Sequence, residues 1–228
     1  MTEQKGALIV GAGAGLSAEL ARGLSSAGYN IALAARNTDK LKNLADEVGA
    51  TCFSIDASNP VQMASVFSDL TSDWPTLDVA IYNPSARVGG PTAELDPEAV
   101  RHALMITAYG GFLMGKHAAQ RMEKQQHGNI LFTGATASVK GFPEWASFAM
   151  GKFALRGLAQ SMARELGPKN IHVAHFVIDG GICPPGQDNA EDTMLDAKSI
   201  AQTYLDTINQ HKSAWVHEVD LRPWSERF

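Results

Sequence analysis

The chain has 228 residues, of which 45% are hydrophobic and 21 are glycine, a size and composition typical of one large domain rather than two small ones. Its formal net charge of -5 and the absence of lysine or arginine runs argue against nucleic acid or an anionic membrane surface as a partner. No apolar stretch is long enough to span a membrane, and no secretion signal precedes the first apolar run. We therefore expect a cytoplasmic protein that acts on a small-molecule substrate.

Short apolar runs alternate along the chain with longer stretches of helical period. The runs are ALIVG from Ala7, NIALAA from Asn30, TCFSI from Thr51, LDVAIY from Leu77, GNILFTG from Gly128, NIHVAHFVI from Asn170 and SAWVHEVDL from Ser213. Continuous rather than alternating hydrophobicity is typical of strands buried on both faces of a parallel sheet. The sequence therefore predicts a single α/β domain over residues 1–228, with a doubly wound sheet of seven mainly parallel strands and helices on both faces.

The first strand runs directly into GAGAGLSAELARGL, which places Gly11, Gly13 and Gly15 at a strand-to-helix junction. Glycines allow a sharp turn and a close approach of the backbone to a phosphate, and the N–H groups at the helix start stabilise the anion. Such a triplet can also be a simple tight turn. Its position in the first strand-helix-strand unit favours a nucleotide site.

The second strand ends in LAARN, with Arg36 where an NAD-specific site usually has an acidic residue that binds the ribose 2'-hydroxyl. A carboxylate would repel a 2'-phosphate, whereas a guanidinium would pair with it. The sequence favours NADP over NAD on this ground, and the alternative is that Arg36 is a solvated surface charge.

Helix ends and one loop can also be predicted. NTDKLKNLADEVG opens with a Thr/Asp cap and closes on Gly49, and NPVQMASVFSDL opens on Asn59 with Pro60 in its first turn. The stretch GGICPPGQDNAEDTM is rich in glycine, proline and acidic residues. We predict a mobile substrate loop over about residues 180–195.

The histidines and cysteines do not indicate a metal site. Cys52 and Cys183 lack partners at metal-ligand spacing, so we expect reduced packing residues. His102, His117 and His172 fit solvated or helix-face positions, and no histidine cluster with serine or an acidic residue indicates a different chemistry.

Taken together, these motifs resemble the short-chain dehydrogenase/reductase family over nearly the whole chain. Gly11 and Gly15 match the family's opening glycine motif, although its third glycine is Ser17 here. Asp56 in SIDAS matches the acid that holds the adenine amino group. YNPSA keeps the asparagine of the family's Asn-Asn-Ala-Gly loop as Asn83 and alters the rest.

The later motifs extend the resemblance to the active-site helix. KFALRGLAQSMARELGPKNIHVAHFV, from Lys152, is similar to the family's active-site helix and the strand after it, and IDGG puts Asp179 where the family has a proline. The resemblance implies a Rossmann-type fold and a nicotinamide cofactor whose ribose hydroxyls Lys152 would hold; the alternative is a lysine that snorkels from an apolar helix. The implied cofactor-binding residues are Gly11, Gly13, Gly15, Leu16, Ser17, Arg36, Asp56, Ala57, Asn83, Lys152, Gly180 and Ile182.

Three of the family's four catalytic residues are replaced in this chain. Phe148 stands where the family has the proton-donating tyrosine, Ala135 where it has the serine that polarises the carbonyl, and Thr107 where it has an asparagine. Only Lys152 remains. Because a general acid and an oxyanion donor each contribute about 10²-fold or more, ordinary ketone reduction should lose several kcal/mol of transition-state stabilisation.

The proton could come from water or from another hydroxyl. Candidates near the pocket by alignment are Ser138, Tyr109 and Tyr82, each of which could instead be a packing residue. Two functions remain open. One is an NADP-dependent oxidoreductase with an atypical site, in which Lys152, Ser138 and Tyr109 are the catalytic candidates. The other is a dinucleotide-binding pseudoenzyme that acts as a sensor or partner subunit.

Two predicted helices, from about Pro97 to Lys124 and from Ala146 to Gly167, carry more apolar surface than one sheet contact can cover. Related proteins pair these helices across a dyad. The resemblance therefore implies a homodimer or homotetramer.

Overall fold

Seven strands form one fully parallel sheet in the computed structural model, which describes residues 5–226. The order is β3-β2-β1-β4-β5-β6-β7, and every neighbouring pair is parallel. The strands are β1 Gly6–Val10, β2 Asn30–Ala35, β3 Thr51–Ser54, β4 Val79–Tyr82, β5 Gly128–Thr133, β6 Ile171–Ile178 and β7 Glu218–Leu221. The predicted doubly wound α/β sheet is confirmed. The predicted domain limits, residues 1 and 228, lie outside the described residues.

Seven α-helices cover the two faces of the described sheet. They are α1 Leu16–Ser26, α2 Lys42–Val48, α3 Pro60–Asp73, α4 Pro97–Leu104, α5 Gly110–Gln125, α6 Ala146–Leu166 and α7 Ala197–Ile208. One core lies between the sheet and α3, α5 and α6, with Met63, Met114 and Leu155 in it. The other lies between the sheet and α1, α2 and α7. None of the helices in residues 5–226 is long and apolar enough to cross a membrane.

The helix-end signals act largely as predicted. The Asn59 side chain accepts hydrogen bonds from the N–H groups of Val61 and Gln62, and Pro60 begins α3. Gly49 ends α2 with a φ of +66°, a conformation that glycine adopts without strain. The predicted Thr/Asp cap was wrong: this helix begins with a 3-10 turn, Asp39–Leu41, before α2, and the Asn37 side chain, not Thr38, accepts the Asp39 N–H.

Three local predictions were wrong. β3 and β7 are the edge strands, so they are partly exposed rather than buried on both faces. β7 also begins later than Ser213, because Lys212–Ala214 forms a 3-10 turn. The His211 side chain accepts the N–H of Ser213 at the start of this turn. His172 is not solvated: it is buried in β6, where it stacks on Trp215.

The stretch predicted to be a substrate loop leaves the carboxyl end of β6 as irregular structure. An isolated parallel bridge joins Ile182 to Leu195. The Asn189 side chain donates to the Met194 carbonyl and accepts the Met194 N–H. These contacts close the stretch into a loop over the end of the sheet. Its mobility remains a prediction.

Candidate functional site

A glycine turn joins β1 to α1 at the carboxyl edge of the sheet. Gly11 has a φ of +83°, and a Cβ atom added to it would lie 2.7 Å from the ring of Pro84. Glycine is therefore required there both by the backbone conformation and by the close approach of the next loop. Added Cβ atoms on Gly13 and Gly15 would meet nothing within 4 Å, so the backbone before α1 faces open space.

Ser17 ties this turn to the loop after β4. Its hydroxyl donates to the Gly11 carbonyl at 3.0 Å and accepts a hydrogen bond from the Asn83 side chain at 2.7 Å. Ser17 and Leu16 are buried. Both therefore position the turn rather than present side chains to a ligand, which is what a backbone phosphate cradle needs.

A cavity of about 600 Å³ lies beside the turn, where the strand order reverses between β1 and β4. Predicted residues in its wall are Gly11, Arg36, Asp56, Ala57 and Asn83. We call it the nucleotide cavity.

Charge in the nucleotide cavity is arranged around one cation and one anion. Arg36 is exposed, and within residues 5–226 no acidic group lies at ion-pair distance from its guanidinium. The Asp56 carboxylate accepts the N–H and the hydroxyl of Ser58 at 2.9 and 2.7 Å. Those hydrogen bonds, aided by the charges of His102 and Arg36, lower the pKa of Asp56. His102 lines this cavity from α4, a placement that sequence reasoning missed.

A second cavity of about 490 Å³ adjoins the first and shares Asn83 and Ser85 with it. We call it the substrate cavity. The predicted residues Lys152, Gly180 and Ile182 lie in its wall. It lies at the carboxyl ends of β4, β5 and β6.

Lys152 is buried in this wall on the second turn of α6. Lys152 is only 2% exposed, and its Nζ donates a hydrogen bond to the Thr133 carbonyl at 2.7 Å. Burial, and to a lesser extent the charge of Arg87, lowers the pKa of Lys152 to about 7. This lysine can therefore exchange a proton near neutral pH.

Phe148 lies one turn before Lys152 and also lines the substrate cavity. The guanidinium carbon of Arg87 lies 4.4 Å from the centre of its ring, within the range of a cation-π contact. Sequence reasoning missed Arg87. Its one signal was a lone cation four residues after Asn83, in the loop that follows a buried strand.

The hydroxyl candidates lie away from the substrate cavity. Ser138 is fully buried, and its Oγ accepts the Ala135 N–H at 3.1 Å. Tyr109 is partly exposed and stacks on Phe112, with 6.0 Å between ring centres. Neither is among the residues that line the cavity.

Tyr82 was wrongly expected to offer a hydroxyl to the pocket. It is fully buried in β4, and its hydroxyl donates to the Ile106 carbonyl. Burial raises its pKa well above the usual range. The strand alternation turns this ring into the core, so it packs under α5 instead of facing the cavity.

Thr107 lies in a π-helical segment, Met105–Tyr109, between α4 and α5. Its hydroxyl accepts the Ala86 N–H at 3.0 Å. Thr107 thus fixes the backbone of the loop that follows Asn83. Ala135 contributes to the cavity wall itself.

A buried polar group under the substrate cavity was also missed. His175 in β6 is fully buried, and its Nδ1 lies 3.0 Å from a carboxylate oxygen of Glu218, which Arg156 binds through two hydrogen bonds of 2.7 Å. Burial lowers the pKa of His175 to about 4, although Glu218 opposes this. Its Nε2 has no hydrogen-bond partner within residues 5–226 and lies against Gly134 in the cavity wall.

The residues present fit a dinucleotide. An open glycine turn at a helix start suits a pyrophosphate, Arg36 offers a guanidinium that forms no ion pair within residues 5–226, and Asn83 and Lys152 lead from the first cavity into the second. No group of three metal-ligating side chains occurs within residues 5–226.

An all-parallel sheet with a glycine turn after β1 and a cleft at the switch in strand order defines a dinucleotide-binding α/β protein. Residues 5–192 match the model of the short chain dehydrogenase family. The chain belongs to this family of short-chain oxidoreductases, and the family resemblance in the sequence is confirmed.

Individual relatives agree with this assignment. The chain is 35% identical to a short-chain dehydrogenase from Rhodopseudomonas palustris of known structure, over 96% of this chain and 99% of that one, with a TM-score of 0.85. It is 28% identical to a short-chain dehydrogenase/reductase of Armillaria gallica, over 87% of this chain and 79% of that protein. A metagenomic short-chain oxidoreductase in complex with NADP shares the fold, with a TM-score of 0.86 and 23% identity over 97% of this chain and 98% of that one.

Proposed function

We propose that the chain is an NADP-dependent short-chain oxidoreductase that transfers hydride to or from a small carbonyl compound or a related substrate. The observation that carries this proposal is a cleft made of two adjoining cavities that share Asn83 and Ser85, with Arg36 in the wall of the first and Lys152 in the wall of the second. A cleft of this kind can hold an extended dinucleotide and a substrate together.

The preference for NADP rests on Arg36. A guanidinium beside the end of β2 favours a 2'-phosphate, with which it can form two charge-assisted hydrogen bonds. The neighbouring carboxylate, Asp56, is already engaged by Ser58. The metagenomic oxidoreductase of the same fold is itself in complex with NADP, which agrees with this choice.

When bound, NADP(H) supplies or accepts the hydride. In the proposal, Gly11, Gly13 and Gly15 hold the pyrophosphate, Asp56 and Ala57 the adenine, and Lys152 the nicotinamide ribose. Gly180 and Ile182 face the nicotinamide end. Leu16 and Ser17 stabilise the glycine turn from inside, and Asn83 links the two cavities.

The proton path differs from that of the family, because Phe148, Ala135 and Thr107 cannot form the tyrosine-centred relay. We place Lys152 in this role. It lines the substrate cavity, its pKa lies near 7, and it can therefore donate or accept a proton at working pH. Ser138 and Tyr109 are not needed in this scheme, since Ser138 holds Ala135 and Tyr109 packs on Phe112.

A turnover assay tests the proposal. NADPH consumption should be followed with a panel of aldehydes, ketones and enones, for the wild type and for Lys152→Met and Lys152→Arg. We expect turnover of at least one class, and a loss of about 10²-fold or more in both Lys152→Met and Lys152→Arg, because arginine keeps the positive charge but cannot exchange a proton near neutral pH. Tight NADPH binding with no turnover of any class would instead favour the dinucleotide-binding pseudoenzyme.

A further inference from the structure

The substrate cavity is positively charged. Arg87 and Lys152 are its two charged lining residues, and all the others are neutral. The neighbouring acidic groups do not line this cavity: Asp179 lies 3.6 Å from Arg222, Glu218 pairs with Arg156, and the exposed Glu144, two residues after Phe142, is outside the wall. A cavity with cations and no lining acid stabilises a negatively charged ligand.

Arg87 is available to such a ligand. Its side chain is exposed, and no acidic group within residues 5–226 lies at ion-pair distance from its guanidinium. The guanidinium packs on the face of Phe148, with 4.4 Å between its central carbon and the centre of the ring. That contact leaves the N–H groups on the guanidinium edge free to donate.

The backbone on both sides of Arg87 is fixed. Ala86 donates its N–H to Thr107, and Val88 exchanges hydrogen bonds of 3.1 and 2.7 Å with the Ser147 hydroxyl. Thr107 and Ser147 are themselves buried. The backbone that carries Arg87 is therefore fixed before any ligand arrives, which reduces the entropy lost on binding.

We propose that Arg87 is the binding residue for a carboxylate on the substrate, so that the substrates are oxo acids or hydroxy acids rather than neutral ketones or alcohols. The inference rests on the proposed function, in which this cavity receives the substrate. A planar guanidinium edge matches a carboxylate through two parallel hydrogen bonds. The anchor lies beside Phe148 and Lys152, so it would hold the reacting end of a small acid close to the lysine.

A matched pair of probes tests this inference. 4-Oxopentanoate and 4-oxopentanamide differ in the charged group but have nearly the same size. Calorimetric titration into the NADP-loaded wild type should show tighter binding of the acid, by about tenfold to hundredfold. Arg87→Gln should remove this preference, and Arg87→Lys should retain part of it because the charge remains but the two-pronged contact is lost.

Lys140→Gln is the matched control. Lys140 lies over Phe142 at the cavity edge but does not line the cavity, so its loss should leave the preference for the acid within about twofold. NADPH affinity is measured for all variants. An unchanged affinity in Arg87→Gln supports a substrate role, whereas a loss of about tenfold or more would assign Arg87 to the cofactor and overturn the inference.

Turnover of the same two probes separates this inference from the proposed function. Equal binding and equal turnover of acid and amide, unaffected by Arg87→Gln, would overturn the carboxylate site while leaving the oxidoreductase intact. Selective binding of the acid with no hydride transfer from any substrate would support the carboxylate site and contradict the oxidoreductase.

Discussion

At the scale of single residues, we propose that Phe148 limits which chemistry the site can perform. A phenyl ring cannot donate a proton, and Arg87 covers its face. We predict that Phe148→Tyr alone raises kcat/KM for an activated diketone by less than about tenfold, because Ala135 and Thr107 do not complete the relay. Steady-state kinetics measure this.

The combined change Phe148→Tyr, Ala135→Ser, Thr107→Asn serves as the comparison. Since groups that act as a unit are not additive, its gain should exceed the product of the single gains. Thr107 also holds Ala86, so thermal stability of each variant must be measured as well. A gain of about 10³-fold in Phe148→Tyr alone would show that the other two positions do not matter.

Arg36 sets the cofactor preference in our account. The wild type should bind NADPH more tightly than NADH, and Arg36→Glu should reverse this order, because a carboxylate attracts the ribose 2'-hydroxyl and repels the 2'-phosphate. Fluorescence titration with both cofactors measures it, with an expected change of at least about tenfold.

Lys40→Glu is a suitable control for Arg36→Glu. Lys40 is exposed on the 3-10 turn before α2 and does not line the nucleotide cavity. Lys40→Glu therefore makes the same change in net charge as Arg36→Glu, but at a side chain outside the cavity wall. Equal affinities of the wild type for NADPH and NADH would refute the assignment of NADP.

Sequence patterns identified the residues whose positions follow from the ends of strands. Gly11, Arg36, Asp56 and Asn83 line the nucleotide cavity because parallel strands end at one edge. Arg87 was missed, since the course of a loop decides where its side chain lies. Tyr82 was placed wrongly, because one residue along a strand reverses the face.

At the scale of secondary-structure elements, His175 links β6 to β7 and α6. Its folded pKa of about 4 lies below the unfolded value of 6.5, so the unfolded chain binds an additional proton between these values. Stability is therefore lost as the pH falls from 6.5 towards 4. Between pH 7.5 and 5.0 this one group should cost about 2 kcal/mol of unfolding free energy.

The variant His175→Gln tests this loss. Its amide can still donate to Glu218 but does not titrate. Urea unfolding at pH 7.5 and 5.0 should show that the unfolding free energy of the variant falls by about 2 kcal/mol less than that of the wild type. The remaining fall is common to both proteins, because both contain the other groups of lowered pKa. An equal loss in the two proteins would mean that His175 is not the source.

The strands were predicted in number and order, but several element boundaries were not. The helix expected from Pro97 to Lys124 is divided into α4, the π-helical segment and α5. Nothing in the apolar period of that stretch signals the division. Tertiary contacts decide it, since Thr107 turns inward to bind Ala86.

At the scale of the whole molecule, exposed apolar side chains mark α5 and α6. Phe112, Met150 and Phe153 are 45%, 52% and 44% exposed. We propose that these helices form the interface of a homodimer or homotetramer. Light scattering at micromolar concentration should show an oligomer, and Phe112→Glu with Phe153→Glu should weaken it, because each introduces a charge into the buried contact.

Val61→Glu is the control for that change. Val61 is exposed on α3, and its replacement adds one negative charge outside α5 and α6, half the charge that the double variant adds. It should leave the oligomer intact. A monomeric wild type at micromolar concentration would contradict the proposed assembly.

The central claim is that this cleft transfers hydride and that Lys152 exchanges the accompanying proton. The most direct measurement is mass spectrometry of the product formed with NADPH that carries deuterium at C4 of the nicotinamide. We predict one deuterium on the reduced carbon of the product from the wild type, and a strongly reduced yield from Lys152→Met at equal cofactor saturation. Cofactor-saturated wild type that gives no deuterated product from any aldehyde, ketone, enone or oxo acid would contradict the account.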